Sequence, residues 1–203
     1  MRLVSPPLTH DRRVPAAVFL ASFIALLYEL PLHIRLVRPT RLVPSPIDLA
    51  IPFIEWTVWI YASYFVFLFL PFLVCRDKAR AARVFWALIA NSVVAASIFL
   101  AWPTSGVAQQ PATAGLSGLL WRALLFVDRP GNLLPSLHVA NTCVCALALA
   151  RERSAWRVAA PVWAALIVIS TLTTRQHFFV DVPTGGALGV CAFWLFGRPS
   201  PRR

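Results

Sequence analysis

Residues 121–140 read WRALLFVDRPGNLLPSLHVA, Trp121 to Ala140. Two arginines, an aspartate, a Pro-Gly turn and a Pro-Ser-Leu-His run sit here between two apolar segments. One hydrophobic segment later comes a smaller polar island, TTRQHFFVD, Thr173 to Asp181. If the intervening segment crosses a bilayer and returns, the two islands lie at the same end of it. They can then face each other as one site for a phosphate group at a membrane surface.

The rest of the chain supports that frame. Of 203 residues 59% are hydrophobic and only 13% charged, and the mean hydropathy is +0.70. A soluble domain is about 45–50% apolar and about 25% charged, so this chain cannot hide its apolar surface in one soluble core. Apolar runs at Val14–Ile34, Ile51–Cys75, Val84–Trp102, Pro135–Ala150, Val158–Thr174 and Val180–Phe196 predict about six transmembrane helices in one all-α bundle. Leu116–Val127, just ahead of the fourth span, predicts a helix lying along the membrane surface. The chain reads as a single integral-membrane domain over 1–203, its catalytic core about 102–189. The first run has no small-x-small cleavage signature and reads as a retained helix.

The net charge is +11, and all but one of the 19 basic residues are arginine. No basic domain stands apart to carry a nucleic-acid reading. The charge instead reads as membrane orientation and contact with anionic lipid. With six spans, 13 of the 19 basic residues fall on the side of the termini and 6 on the other. The termini are thus expected in the cytoplasm of a cell whose inner membrane holds the chain, with both islands on the extracytoplasmic side. Arg35, Arg38 and Arg41 run against that rule. Arg35–Ala50 reads as a loop and Arg76–Arg83 as a short basic loop. Trp56, Trp59, Tyr61 and Tyr64 read as an interfacial aromatic belt, with Glu55 at head-group depth. Glu29 and His33 are four apart and can pair on one helix face, with Pro31 predicting a kink or an early helix end. Cys75, Cys143, Cys145 and Cys191 sit in or beside apolar runs and read as small apolar residues.

The islands carry the chemistry. Arg122 and Arg129 are seven apart, on similar faces of a helix. Pro130-Gly131 turns the chain, and Pro135-Ser136 starts a helix whose free N–H groups favour an anion. Two guanidiniums, that helix start and the Ser136 hydroxyl make a phosphate cradle, and His138 can reach the same anion. Asn132 reads either as a further phosphate contact or as a turn residue. His177 and Asp181 are four apart. A carboxylate on one imidazole nitrogen fixes the tautomer and leaves the other nucleophilic. Two histidines can divide the work, one attacking phosphorus and the other protonating the leaving oxygen.

Taken jointly, the pattern resembles the type 2 phosphatidic acid phosphatase superfamily of membrane lipid phosphatases. That family carries Lys-(six residues)-Arg-Pro, Pro-Ser-Gly-His and Ser-Arg-(five residues)-His-(three residues)-Asp. Arg122 stands for the lysine, and Arg129-Pro130 match. Pro135, Ser136 and His138 match around Leu137, where the family has glycine; His177 and Asp181 also match. The third-motif arginine would fall at Thr171, which leaves Arg175 as the candidate to supply its charge. The resemblance covers about Trp102 to Gly189. Pro-Ser-Leu-His with Thr-Arg-Gln-His looks like the branch that includes inositol phosphorylceramide synthases.

The resemblance implies a double displacement through phosphohistidine with no metal and no other cofactor. His177 would be the nucleophile, oriented by Asp181, and His138 the general acid. Arg122, Arg129, Ser136, Arg175 and Asn132 would bind the substrate phosphate. The reading is a lipid phosphatase acting on a lipid phosphate monoester or pyrophosphate. Two alternatives stand beside it: a lipid phosphotransferase that moves a phospho-head-group between lipids, and a transporter or scaffold with a vestigial site. The expected partners are a lipid phosphate and the bilayer, with no nucleic acid. The sequence leaves open which lipid is used and the oligomeric state.

Overall fold

Among the described residues six helices run alternately up and down, with two further helices outside the main pack. The structure is a computed structural model and describes residues 9–34, 36–106, 114–128, 131–152 and 155–196. In chain order the elements are α1 (His10–His33), β1 (Thr40–Arg41), α2 (Pro46–Ala50), α3 (Val58–Val74), α4 (Lys78–Ala101), β2 (Thr104–Ser105), α5 (Gly115–Val127), α6 (Leu137–Leu149), α7 (Trp156–Thr173) and α8 (Asp181–Phe196). This is an all-α membrane bundle. Four segments among the described residues are long and apolar enough to cross a bilayer: Arg12–His33, Glu55–Val74, Lys78–Ala101 and Trp156–Thr173.

Several boundaries differ from those read off the hydropathy. The segment expected as a basic loop is mostly helix. Asp77 caps α4 by accepting from Ala79 N at 2.8 Å, so Lys78 to Arg83 form its first turns. The expected loop Arg35–Ala50 contains α2, started by a capping box in which Ser45 and Asp48 satisfy each other's backbone N–H. The second span starts late, because Ile51–Ile54 is extended and a single 3₁₀ turn, Glu55–Thr57, leads into α3. Pro31 does not stop α1 at once; the helix ends two residues later at His33, whose Nε2 lies 3.5 Å from Glu29 Oε2.

At the centre is α6, which packs against α3, α4, α7 and α8. Nearly all its side chains are buried, as a helix surrounded by neighbours requires. Its closest partner is α8, and glycine makes that approach possible. A Cβ at Gly185 would lie 2.4 Å from Ser136 O, and one at Gly189 2.3 Å from Ala140 O. Gly185 and Gly189 form a small-xxx-small stripe that seats one helix backbone on another.

The end of the bundle where α6 and α8 begin is laced by backbone bonds. Thr40–Arg41 pairs in parallel with Thr104–Ser105, and Ser105 bridges to Gly131. Thr104 carries the load of this cap. Its carbonyl accepts from Asn132 N at 2.9 Å, and its Oγ1 accepts from Leu133 N at 2.9 Å and Leu134 N at 3.1 Å. At the other end Arg13 is buried and donates to Phe72 O and Cys75 O, the last carbonyls of α3, where a cation suits the helix dipole. Arg80 there pairs with the buried Glu152.

Candidate active site

The first histidine is placed by a cap. Ser136 sits in extended conformation and its Oγ accepts from Val139 N at 3.3 Å, which starts α6. His138 follows in the first turn. Its ring lies between Tyr61 and Tyr64, at centroid distances of 4.9 and 4.3 Å. Tyr64 is held in turn by Asn141, whose Nδ2 donates to its hydroxyl at 3.1 Å, and Asn141 accepts from Asn91 at 3.2 Å.

The second histidine is placed by the way α7 ends. Thr174 is the last residue of the turn, and Arg175 follows at φ +56°. Gln176 N then donates to Thr171 O at 3.0 Å and Arg175 N to Leu172 O at 2.9 Å. These two bonds are the Schellman arrangement, with arginine at the position that usually carries glycine. His177 N also reaches Thr171 O, at 3.1 Å. The chain is thereby reversed, and Asp181 opens α8 with its carboxylate at the helix N-terminus. Asp181 is fully buried; its Oδ2 lies 3.1 Å from His177 Nδ1 and accepts from Phe178 N at 2.9 Å. Asp48 fixes the same loop from outside, accepting from Phe179 N at 2.6 Å.

The two islands meet. Ser136 N donates to Asp181 O at 3.4 Å, and the rings of His138 and His177 are 5.8 Å apart in an edge-to-face arrangement. The structure thus brings together Ser136, His138, His177 and Asp181. Arg175 is half-buried two residues before His177. Arg122 lies on α5 with an exposed side chain, while its neighbours Trp121 and Leu124 pack on Val58 and Tyr61. Arg129 lies outside the described residues. Asn132 is buried at φ +55°, and its Nδ2 donates to Tyr28 O at 2.9 Å. Asparagine tolerates that left-handed turn. Thr171, where the family's arginine would fall, is buried and offers its carbonyl to the turn.

Two groups were not singled out from the sequence. Tyr61 and Tyr64, read there as part of an aromatic belt, turn inward, while Trp56 and Trp59 stay 61% and 52% exposed. Asp128, passed over inside the first island, is buried between α1 and α3. It accepts from Tyr28 at 2.7 Å through Oδ1 and from Tyr61 through Oδ2, and Oδ2 is 3.7 Å from His138 Nε2. Glu55, expected at head-group depth, accepts from Ala114 N at 3.2 Å at the start of α5.

A cleft of about 380 Å³ ends at His138. Asp128, Tyr28 and Glu29 flank that end, and the rest is apolar, with Ile24 of α1 facing Leu68 of α3. The site is therefore a pair of close histidines, His177 backed by the Asp181 carboxylate and His138 lining an apolar cleft.

A family model of the PAP2 superfamily matches residues 41–195, and the chain belongs to that superfamily. No curated protein matches it.

Proposed function

We propose that the protein is a membrane lipid phosphatase that hydrolyses a lipid phosphate monoester or pyrophosphate through a phosphohistidine, without a metal ion. The observation that carries this reading is the His138–His177 pair, with His138 on the wall of an apolar cleft. His177 is the nucleophile: Asp181 on Nδ1 leaves Nε2 for attack on phosphorus. The His–P bond forms, the P–O bond breaks, and His138 gives its proton to the departing alcohol oxygen. Water then attacks the phosphohistidine, its proton passing to His138, and phosphate leaves. Arg122, Arg129 and Arg175, with the N-terminus of α6 at Ser136, hold the phosphate oxygens. Asn132 is assigned to the turn, since its amide is committed to Tyr28 O. The cleft takes the apolar chain. The distribution of arginines supports cytoplasmic termini and an extracytoplasmic site.

The test uses purified protein in detergent with EDTA present, beside His177→Ala. A panel of phosphatidic acid, phosphatidylglycerol phosphate, polyprenyl pyrophosphate and phosphodiester lipids is followed for free phosphate and lipid products together. Release of phosphate from a monoester or pyrophosphate, lost in the variant, is the expected result. A new phospholipid formed only when an alcohol or second lipid is added, with little free phosphate, makes the protein a phosphotransferase instead. A rate abolished by EDTA overturns the mechanism.

A further inference from the structure

A buried carboxylate that takes no part in the scheme above stands beside His138. Asp128 is 7% exposed, yet both its oxygens are occupied, Oδ1 by the Tyr28 hydroxyl and Oδ2 by that of Tyr61. Burying such a charge without partners is costly, and two phenols contributed by two different helices supply them. Tyr61 does a second thing. Its oxygen lies 3.2 Å from His138 Nε2. A phenol has one proton, and Tyr61 donates it to Asp128, so it turns only a lone pair toward the imidazole. Two lone pairs do not face each other at that distance. Nε2 of His138 therefore carries hydrogen and donates it to Tyr61.

We infer that Asp128, acting through Tyr61, is the positioning group of His138, as Asp181 is of His177. Each histidine of the pair then has its own carboxylate, one in direct contact and one through a phenol. Through Tyr61, Asp128 holds hydrogen on Nε2, so the proton that passes to the leaving oxygen is one that His138 carries on Nδ1, and the two tyrosine rings fix the plane of the imidazole. Glu29, on the cleft wall next to Tyr28, is the other carboxylate near this end but its oxygen is turned to His33. Geometry leaves the role to Asp128. The inference rests on the proposed function for the words "general acid" and on the hydrogen-bond geometry alone for the tautomer.

The experiment has two arms, each on Asp128→Asn and Tyr61→Phe in the full-length protein in detergent. The first compares two substrates. Phosphatidic acid has a poor alkoxide leaving group that needs protonation; p-nitrophenyl phosphate has a stable phenolate that does not. A well-placed general acid contributes roughly 10²–10⁴-fold. Both variants are expected to lose about 10-fold or more in kcat on phosphatidic acid with KM little changed, and less than about 3-fold on p-nitrophenyl phosphate. His177→Ala loses both reactions. Equal losses on the two substrates would mean that Asp128 only holds helices together, and no loss on either removes its role; each overturns the inference. The second arm reads ¹⁵N shifts of histidine-labelled protein, assigned with His138→Gln. The neutral ring of His138 should be the Nε2–H tautomer in the native protein and should lose that preference in Tyr61→Phe. A native Nδ1–H tautomer refutes the inference. If the native protein turns over neither substrate, the phosphatase reading falls, and the tautomer still decides this one.

Discussion

Gly185 and Gly186 are adjacent residues of one helix with opposite surroundings, and they provide a controlled perturbation of the site. A Cβ on Gly185 would stand 2.4 Å from Ser136 O and 3.1 Å from Val139 Cβ; a Cβ on Gly186 would meet nothing within 4 Å. In Gly185→Ala, restoring an ordinary contact of about 3.4 Å pushes α8 away from the start of α6 by roughly 1 Å, since backbone cannot step aside as a flexible side chain can. Asp181 lies one turn earlier on α8 and carries His177, while Ser136 and His138 ride on α6. The displacement therefore opens the gap between the two histidines. A misplacement of about 1 Å costs on the order of 10²-fold in rate, and overpacking of this kind costs about 1–3 kcal/mol in stability. In Gly186→Ala the same methyl group enters open space and the helix gains up to about 1 kcal/mol from better propensity. Initial rates and thermal unfolding in detergent separate the two. Gly185→Ala is expected to fall about 10²-fold in kcat with a lowered melting temperature, and Gly186→Ala to keep its rate and melt no lower than the parent. If Gly185→Ala behaves like the parent in both measurements, or Gly186→Ala is damaged as badly, close seating of α8 on α6 does not set the geometry of the site.

Arg175 occupies a left-handed position that glycine would fill without steric cost. Arg175→Gly should therefore melt no lower than the parent, while kcat/KM falls roughly 10–100-fold from the loss of a charged hydrogen bond to phosphate of about 1.5–3 kcal/mol; unchanged kcat/KM would remove Arg175 from the phosphate site. Thr104→Val keeps the shape but strips the acceptor from two backbone N–H groups, of Leu133 and Leu134. At about 1–3 kcal/mol for each donor left unpaired, a clear drop in unfolding temperature is expected, and a drop no larger than that of an exposed Thr40→Val control would show that water replaces the hydroxyl. Arg129→Ala should lose far more activity than Arg202→Ala, measured as phosphate release at matched protein levels; equal losses contradict placing Arg129 at the phosphate.

The bundle was legible because spanning is a local property. Some twenty consecutive residues either are apolar or are not, and no distant contact changes the count. The His177–Asp181 pairing was legible for a related reason: the two residues are four apart in the chain, at the turn that opens α8, so their contact needs only local geometry. Asp128 was not legible. Its partners Tyr28 and Tyr61 are 100 and 67 residues away, and nothing nearby in the chain distinguishes it from the aspartate of an exposed turn. Tyr61 and Tyr64 were misplaced for a different reason. An aromatic belt is a signal of composition, whereas the face a residue occupies depends on how its helix is rotated against its neighbours. Trp59 and Tyr61 are two residues apart, about 200° around a helix, so one can look outward while the other meets His138. The short helix α2 did leave a trace, the Ser45-x-x-Asp48 box, but five residues do not raise a periodic signal.

The lengths of the helices connect the fold to the chemistry. At 1.5 Å per residue, α1 and α4, each 24 residues, reach about 36 Å, while the 13 residues of α6 and 16 of α8 reach about 20 and 24 Å. A bilayer core is about 30 Å thick. Both short helices begin at the site, so the shortfall is concentrated there and is met by the non-helical segments 131–136 and 174–180. Irregular backbone at such depth survives only where protein satisfies it, which accounts for Thr104, Thr171 and Asp48 all being spent on backbone N–H groups of those segments. The same shortening recesses two helix N-termini below the ends of the longer helices, beside an apolar cleft. An anion drawn into that recess leaves much of its water behind, so any cation or free N–H that faces it there acts on it more strongly than at an open surface. Such a place suits a phosphate whose own chain can follow it into the cleft, and a free phosphate entering alone forgoes the apolar contacts of that cleft. Under the proposed phosphatase reading, that asymmetry is a means of releasing product: once the P–O bond to the lipid is broken, the anion no longer has a chain holding it in place.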